Sequence, residues 1–152
     1  MKRFFLNSSF FLTILIAIGF SQCKKEPKPL NVALYDKPVN VIQSYIQGKW
    51  KVQYGKGGFI GNWIQFYQNV FYEFGSGSRV KITNTGIAIT DTTIEWNKEK
   101  GIFVEVDSIY TMKFYDKLGY PNVLVPSKIY NDTLILHDYS SDAMFYSLIR
   151  MN

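Results

Sequence analysis

The chain has 152 residues, a formal net charge of +5 and an aromatic content of 17%. A chain of this length supports one domain with one hydrophobic core. Its basic residues are not clustered on one periodic face, so the charge does not argue for binding to nucleic acid. The chain has one cysteine, which excludes a fold held together by intrachain disulfides.

The first 22 residues have the pattern of an export signal. Lys2 and Arg3 give a positive start, and the run from Phe10 to Phe20 is almost entirely apolar. A charged region, an apolar region and a cleavage site follow one another in this order in secretory signals. The run is shorter than the roughly 20 residues of a membrane-spanning helix. We therefore expect residues 1–22 to be a signal peptide, whose removal leaves fifteen basic and twelve acidic residues, a net charge of +3.

The end of this segment, Phe20-Ser21-Gln22-Cys23, resembles the lipobox of bacterial lipoproteins, although Gln22 stands where that motif usually has glycine, alanine or serine. The alternative is an ordinary secretory signal followed by an incidental cysteine. Acylation explains why an exported protein carries an unpaired thiol. The resemblance implies acyl chains such as palmitate on Cys23 and attachment to a cell-envelope membrane. Charged residues after Cys23 resemble lipoprotein export tracts, so we expect the outer membrane.

Residues 23–37 contain two prolines and few apolar side chains, so we expect a flexible tether between the anchor and the domain. The domain is expected to span residues 38–152. Val39, Ile42 and Ile46 recur at helical spacing, which predicts a short helix that begins near Pro38 and ends at Gly48.

From Lys49 onward the sequence predicts an all-β domain, because β-branched and aromatic residues dominate and alternate with polar ones. Gly75-Ser76-Gly77-Ser78 and residues 139–142 suit hairpin turns. Eight or nine strands are expected, which is compatible with an up-and-down barrel or a β-sandwich. The recognisable runs are Lys49 to Tyr54, Val70 to Phe74, Arg79 to Thr83, Thr92 to Asn97, Ile102 to Asp107, Tyr110 to Phe114, Thr133 to Asp138 and Ala143 to Met151.

The start of the first strand, Gly48-Lys49-Trp50, follows the predicted helix directly and resembles the signature of the lipocalins and of small lipocalin-like bacterial families. In those families the tryptophan closes one end of the barrel and packs against an arginine from the last strand. Arg150 stands at the corresponding place here. The resemblance implies a small antiparallel barrel of lipocalin type, with a β-sandwich as the alternative.

The sequence gives little support for an enzyme, a metal site or a cofactor. No cysteine remains as a nucleophile, and one histidine is too few for a zinc site of the usual kind. That residue, His137, shares a strand face with Thr133 and Ile135 rather than with the leucines between them, which predicts a solvent-facing side chain.

Two functions remain open at this stage. The first is a membrane-anchored barrel that binds a small hydrophobic or amphipathic ligand. In lipocalin-like folds the loop after the first strand lies at the open end, so Phe59, Ile60 and Trp63 are expected to cover the mouth. The second is a structural or interaction lipoprotein whose filled barrel docks another envelope protein.

Overall fold

The computed structural model describes residues 30–58, 63–102, 106–140 and 142–151. One short helix, α1, precedes ten of the eleven strands. The elements in chain order are β1 (Val32–Ala33), α1 (Val39–Ile46), β2 (Gly48–Gly57), β3 (Trp63–Phe66), β4 (Val70–Phe74), β5 (Arg79–Asn84), β6 (Ile87–Thr93), β7 (Glu95–Lys100), β8 (Ser108–Tyr115), β9 (Pro121–Tyr130), β10 (Thr133–Asp138) and β11 (Met144–Arg150).

All of these strands belong to one curled antiparallel sheet with the order β6-β5-β4-β2-β11-β10-β9-β8-β7. The remaining two, β1 and β3, add to β9 and β2. Because β2 pairs with β11, the beginning and the end of the domain meet in the middle of the sheet. This curled half-barrel of nine strands confirms the predicted all-β, up-and-down architecture with a short helix, and it is not the two packed sheets of a sandwich.

The two edge strands of this sheet, β6 and β7, follow each other in the chain with Ile94 alone between them. They run in the same direction, because the sheet order contains nine strands, each antiparallel to the next, so that the first and the last are parallel. The predicted strand over Thr92 to Asn97 is therefore a bent passage that leaves β5 and joins β8. The Ile94 N–H donates to the Ser78 carbonyl at 2.6 Å, and its side chain is buried, which fixes the bend.

The core lies inside the curled sheet, at the end that α1 covers. Ile42 and Ile46 of α1 pack there with buried side chains from almost every long strand. The buried set comprises Leu34, Ile42, Ile46, Trp50, Val52, Phe74, Val80, Ile82, Ile94, Met112, Phe114, Leu124, Ile129, Leu134, Leu136 and Leu148. The inward positions of β5, β8 and β10 follow the predicted period of two.

The segment before α1 differs from the expected flexible tether. Val32 pairs with Ile129 of β9, and Leu34 is completely buried. The Leu30 N–H also donates to the Asp132 carboxylate at 3.1 Å. A strand edge and a core site are available to this segment, and burial of one leucine contributes about 2 kcal/mol. The packed domain therefore includes residues from Leu30 on, whereas residues 23–29 lie outside the described part.

Strand β9 was not predicted from the sequence, because Pro121 and Pro126 argue against a strand. Pro126 pairs with Leu136 of β10, and the register between the two strands shifts directly beside it, with Ser127 as the extra residue. Prolines within sheets occur at such irregular positions, where the ladder of hydrogen bonds is already interrupted. The predicted run Ile102 to Asp107 falls partly on residues 103–105, outside the described residues, and the rest of it is not in a strand.

A second bulge changes which residues of β2 face inward. Val52 pairs with Leu148, but Tyr54 pairs with Ser147, so Gln53 is an extra residue in β2. The alternation predicted Trp50, Val52 and Tyr54 on one face. Only the first two lie in the core. Tyr54 lies on the opposite face, and a glycine takes the next inward position.

Candidate functional site

One end of the barrel is closed by contacts between α1, Trp50 and Arg150. The last carbonyls of a helix have no partner within the helix. Here the Trp50 indole N–H donates to the Ile46 carbonyl at 2.6 Å. The Arg150 guanidinium donates to the carbonyls of Tyr45 at 2.7 Å and Gln47 at 3.2 Å. Two side chains thus satisfy three successive carbonyls at the end of α1.

Arg150 also lies over the Trp50 ring, 4.3 Å from the ring centroid to the guanidinium carbon, which is a favourable cation–π arrangement. Gly48 links α1 to β2 with a φ of +114°, a conformation that other residues rarely adopt. The structure therefore brings together the three residues singled out by the lipocalin resemblance. Their arrangement closes and stabilises this end of the barrel.

The opposite, open end contains a cavity of about 450 Å³. Its deeper wall is apolar and includes Val52, Val70 and Ile82. Tyr67, Tyr72 and Tyr146 add aromatic rings that each carry a hydroxyl group. The complete lining is Val52, Gln65, Phe66, Tyr67, Gln68, Asn69, Val70, Tyr72, Ile82, Asn84, Thr85, Ile89, Thr90, Asp116, Asn122 and Tyr146.

The cavity follows from two local features of the sheet. Tyr67 to Asn69 interrupt the strand that pairs with β2, separating β3 from β4. Opposite Tyr146, the inward position of β2 is Gly55. A Cβ atom on Gly55 would lie 3.3 Å from the Tyr146 ring and 3.0 Å from the Met144 methyl carbon. The absence of a side chain lets the Tyr146 ring pack directly on the backbone of β2.

The hydroxyl groups of this wall converge near one carboxyl group. The Tyr146 hydroxyl donates to the Asp138 carboxylate at 3.4 Å, and the rings of Tyr67 and Tyr146 have centroids 6.5 Å apart. Burial raises the pKa of Tyr72 and Tyr146 above the usual 10.0, and the Asp138 charge adds to the effect. Burial also raises the pKa of Asp138, against the opposing hydrogen bond from Tyr146. The phenols therefore stay protonated and can donate hydrogen bonds.

The rim of the cavity carries carboxamide side chains from three strands and one turn. Carboxamides both donate and accept hydrogen bonds. This set comprises Gln65, Gln68, Asn69, Asn84 and Asn122. The rim can therefore form hydrogen bonds with a polar group while the deeper wall contacts an apolar one.

The residues predicted to cover the mouth are only partly placed by the structure. Phe59 and Ile60 lie outside the described residues. Trp63 begins β3 opposite Gly57 and is 51% exposed, and it is not among the lining residues. Tyr146 was not predicted from the sequence, because its position against Gly55 depends on strand register rather than on any local motif.

His137 lies outside the cavity, next to the Phe145 ring at 5.8 Å between centroids. It is half-buried rather than fully solvent-facing, although it shares the predicted face with Thr133 and Ile135. Burial lowers the pKa of His137, and the positive charge of Lys128 lowers it further. The neutral form is therefore favoured near neutral pH.

Within the described ranges, no three histidine, cysteine, aspartate or glutamate side chains are grouped so that they could hold a metal ion. No helix among those same residues is long and apolar enough to cross a membrane. Comparisons of the chain with protein-family models, with curated proteins and with solved structures found no match.

Proposed function

We propose that this protein is an exported lipoprotein, anchored to the outer membrane through acyl chains on Cys23, whose barrel binds a small amphipathic ligand. The cavity of about 450 Å³ at the open end is the observation that carries the proposal. Ligand pockets typically have volumes of about 300–1,000 Å³, with apolar walls and a few polar groups. The apolar depth and the carboxamide rim provide both kinds of surface.

The place at which the chain enters the barrel is compatible with a membrane anchor at Cys23. Leu30 is held at the closed end by Asp132, which lies in the turn between β9 and β10. Cys23 precedes Leu30 by seven residues, which can span at most about 25 Å. Strand β2 crosses the barrel with ten residues, and a strand of that length rises roughly 25 Å along a barrel axis. An upright anchored barrel would thus turn its closed end to the membrane and its cavity away from it.

Ligand binding is tested by filling the mouth with a larger side chain. Ile89 lines the cavity and is 43% exposed, so Ile89→Trp should obstruct the cavity without disturbing the core. Ile87→Trp is the matched control, since Ile87 lies two residues away on β6, is 68% exposed and does not line the cavity. Native mass spectrometry of the protein purified from its host should show a small molecule on wild type and on Ile87→Trp, and less on Ile89→Trp. Equal occupancy of all three would place the ligand elsewhere.

The anchor is tested separately. Intact mass of the membrane-extracted protein should correspond to a chain that begins at Cys23 and carries acyl chains. Cys23→Ser should release the protein from the membrane fraction. A chain that retains Met1, or that is cleaved without acylation, would contradict the anchor.

A second candidate function, docking of another envelope protein, is favoured by apolar side chains exposed around the open end. Leu118 is 81% exposed in the turn between β8 and β9, and Tyr120, two residues later in the same turn, is 65% exposed. The Lys117 N–H donates to the Ile89 carbonyl and holds this turn beside β6, where Ile87 is exposed. A photocrosslinker at position 118 should capture a defined partner if docking is the function, whereas one at Asn40 on α1 should not. Ligand occupancy without a crosslink at position 118 would favour the first candidate.

A further inference from the structure

We infer that the cavity accepts an uncharged, hydroxyl-rich headgroup, such as that of an alkyl glycoside, and disfavours carboxylate and phosphate headgroups. The inference rests on the proposed ligand-binding function and specifies the chemical class of the ligand.

No lysine, arginine or histidine is present among the described residues that line the cavity. The charged side chain in this lining is Asp116, whose Oδ1 accepts hydrogen bonds from the N–H groups of Leu118 at 2.8 Å and Tyr120 at 2.9 Å. A second carboxylate, that of Asp138, lies 3.4 Å from the Tyr146 hydroxyl. An anionic headgroup would lose hydration and meet negative charge without a cation to compensate. The lining therefore opposes anions.

The two carboxylates do not make the cavity a strong cation site either. The Asp116 oxygen already accepts two backbone hydrogen bonds. The Asp138 carboxylate accepts hydrogen bonds from the Tyr146 hydroxyl and from the Met144 backbone. The Asp116 carboxylate thus holds the turn between β8 and β9, and the Asp138 carboxylate holds the start of β11. Both carboxylates already accept hydrogen bonds from the protein, which weakens their attraction for a bound cation.

The rim is suited to hydroxyl groups. Gln68, Asn69 and Asn84 are exposed, so water satisfies their carboxamides when the cavity is empty. A hydroxyl group donates and accepts as water does, and it can replace that water with little loss of hydrogen bonding. The rings of Tyr67 and Tyr146, tilted by 56°, offer apolar faces next to these amides. A sugar ring presents the same combination, because its carbon faces are apolar and its edges carry hydroxyl groups.

The test compares four probes that each contain an eight-carbon alkyl or acyl chain: octyl glucoside, octanoate, octyl phosphate and octylammonium. Each is titrated below its micelle concentration, by calorimetry, into the full chain carrying Cys23→Ser, which lacks the acylation site. We expect octyl glucoside to bind at least about tenfold more tightly than either anion, a difference of about 1.4 kcal/mol in binding free energy. We also expect octyl glucoside to bind more tightly than octylammonium. Tightest binding of an anion or of the cation would overturn the inference and leave the proposed ligand-binding function intact. Binding of none of the four, together with an empty protein from the host, would refute the proposed function itself.

A charge placed in the lining makes the test independent of the absolute affinities. Asn84→Lys introduces a cation at an exposed lining position on β5. It should raise the affinity for octanoate, relative to that for octyl glucoside, by about fivefold, because an exposed ion pair contributes at most about 1 kcal/mol. Asn40→Lys makes the same change at an exposed position on α1, at the closed end, and should leave the ratio unchanged. An unchanged ratio in Asn84→Lys, or an equal rise in both variants, would overturn the inference.

Discussion

Replacing Arg150 by methionine tests whether the end of α1 depends on the contacts described for the closed end. The substitution keeps an unbranched apolar stem but removes the guanidinium, with its hydrogen bonds to Tyr45 and Gln47 and its contact with Trp50. Hydrogen bonds to a charged group contribute about 1.5–3 kcal/mol each when shielded from solvent. Arg150 is half-buried, so we take about 1 kcal/mol for each of the two bonds and about 0.5–1 kcal/mol for the ring contact. Arg150→Met should therefore lower the free energy of unfolding by about 2.5–3 kcal/mol.

The assay is urea unfolding followed by tryptophan fluorescence, with the slope of the transition checked against wild type so that only the midpoint changes. Arg150→Lys keeps the charge but not the two-pronged geometry, and we expect it to lose about half as much. Arg79→Met is the matched control. Arg79 pairs with Asp91 on the surface, with both side chains about half exposed, and such pairs contribute at most about 1 kcal/mol. If Arg150→Met costs no more than Arg79→Met, the capping of α1 by Arg150 does not stabilise the fold as argued.

Three further predictions follow from the fold. Leu34→Ala should cost about 2–5 kcal/mol in urea unfolding, because Leu34 is completely buried, whereas Leu118→Ala should be nearly neutral; a neutral Leu34→Ala would mean that this segment does not pack in solution. Gly57→Ala should destabilise more than Gly86→Ala, since both have positive φ but only at Gly57 would a Cβ atom meet a backbone oxygen, at 2.5 Å, and equal melting temperatures would contradict this. An NMR titration of the His137 imidazole should give a pKa below 6.5. The contribution of neutral His137 to the free energy of unfolding is then complete above pH 6.5 and decreases as the pH falls through the lowered pKa. A measured pKa above 6.5 would show that burial does not control the titration of His137.

The sequence predicts the closed end of the barrel better than the open end. At the closed end the relevant residues are close in sequence or recognisable as a signature. Gly48 and Trp50 directly follow the helix that they help to end, and Arg150 is identified by its place in the last strand. The contact with Leu34 was missed, because its context of charged residues and prolines suggested a spacer. The burial of Leu34 becomes apparent only when the segment before α1 is paired with β9, a strand that was not predicted either.

The open end depends on strand register, which the alternation of β2 alone does not show. Regular alternation would place Tyr54 inside the barrel, and its ring would occupy space near the cavity. The bulge at Gln53 turns Tyr54 to the outer face, where its ring contacts Phe66 and Phe145. A bulge of this kind reverses the two faces of the strand beyond it.

The inward position then belongs to Gly55, which leaves room for the Tyr146 ring beside the apolar wall. Because of the extra residue in β2, the inward position at the level where the polar rim begins is occupied by Gly55 instead of Tyr54. The Gln53 side chain accepts a hydrogen bond from the Ser147 hydroxyl at 3.2 Å, and the Gln53 carbonyl accepts one from the Tyr67 N–H at 3.0 Å. These bonds tie the bulge to the last strand and to a cavity wall. The site therefore arises from the same irregularity that made its position unpredictable from periodicity.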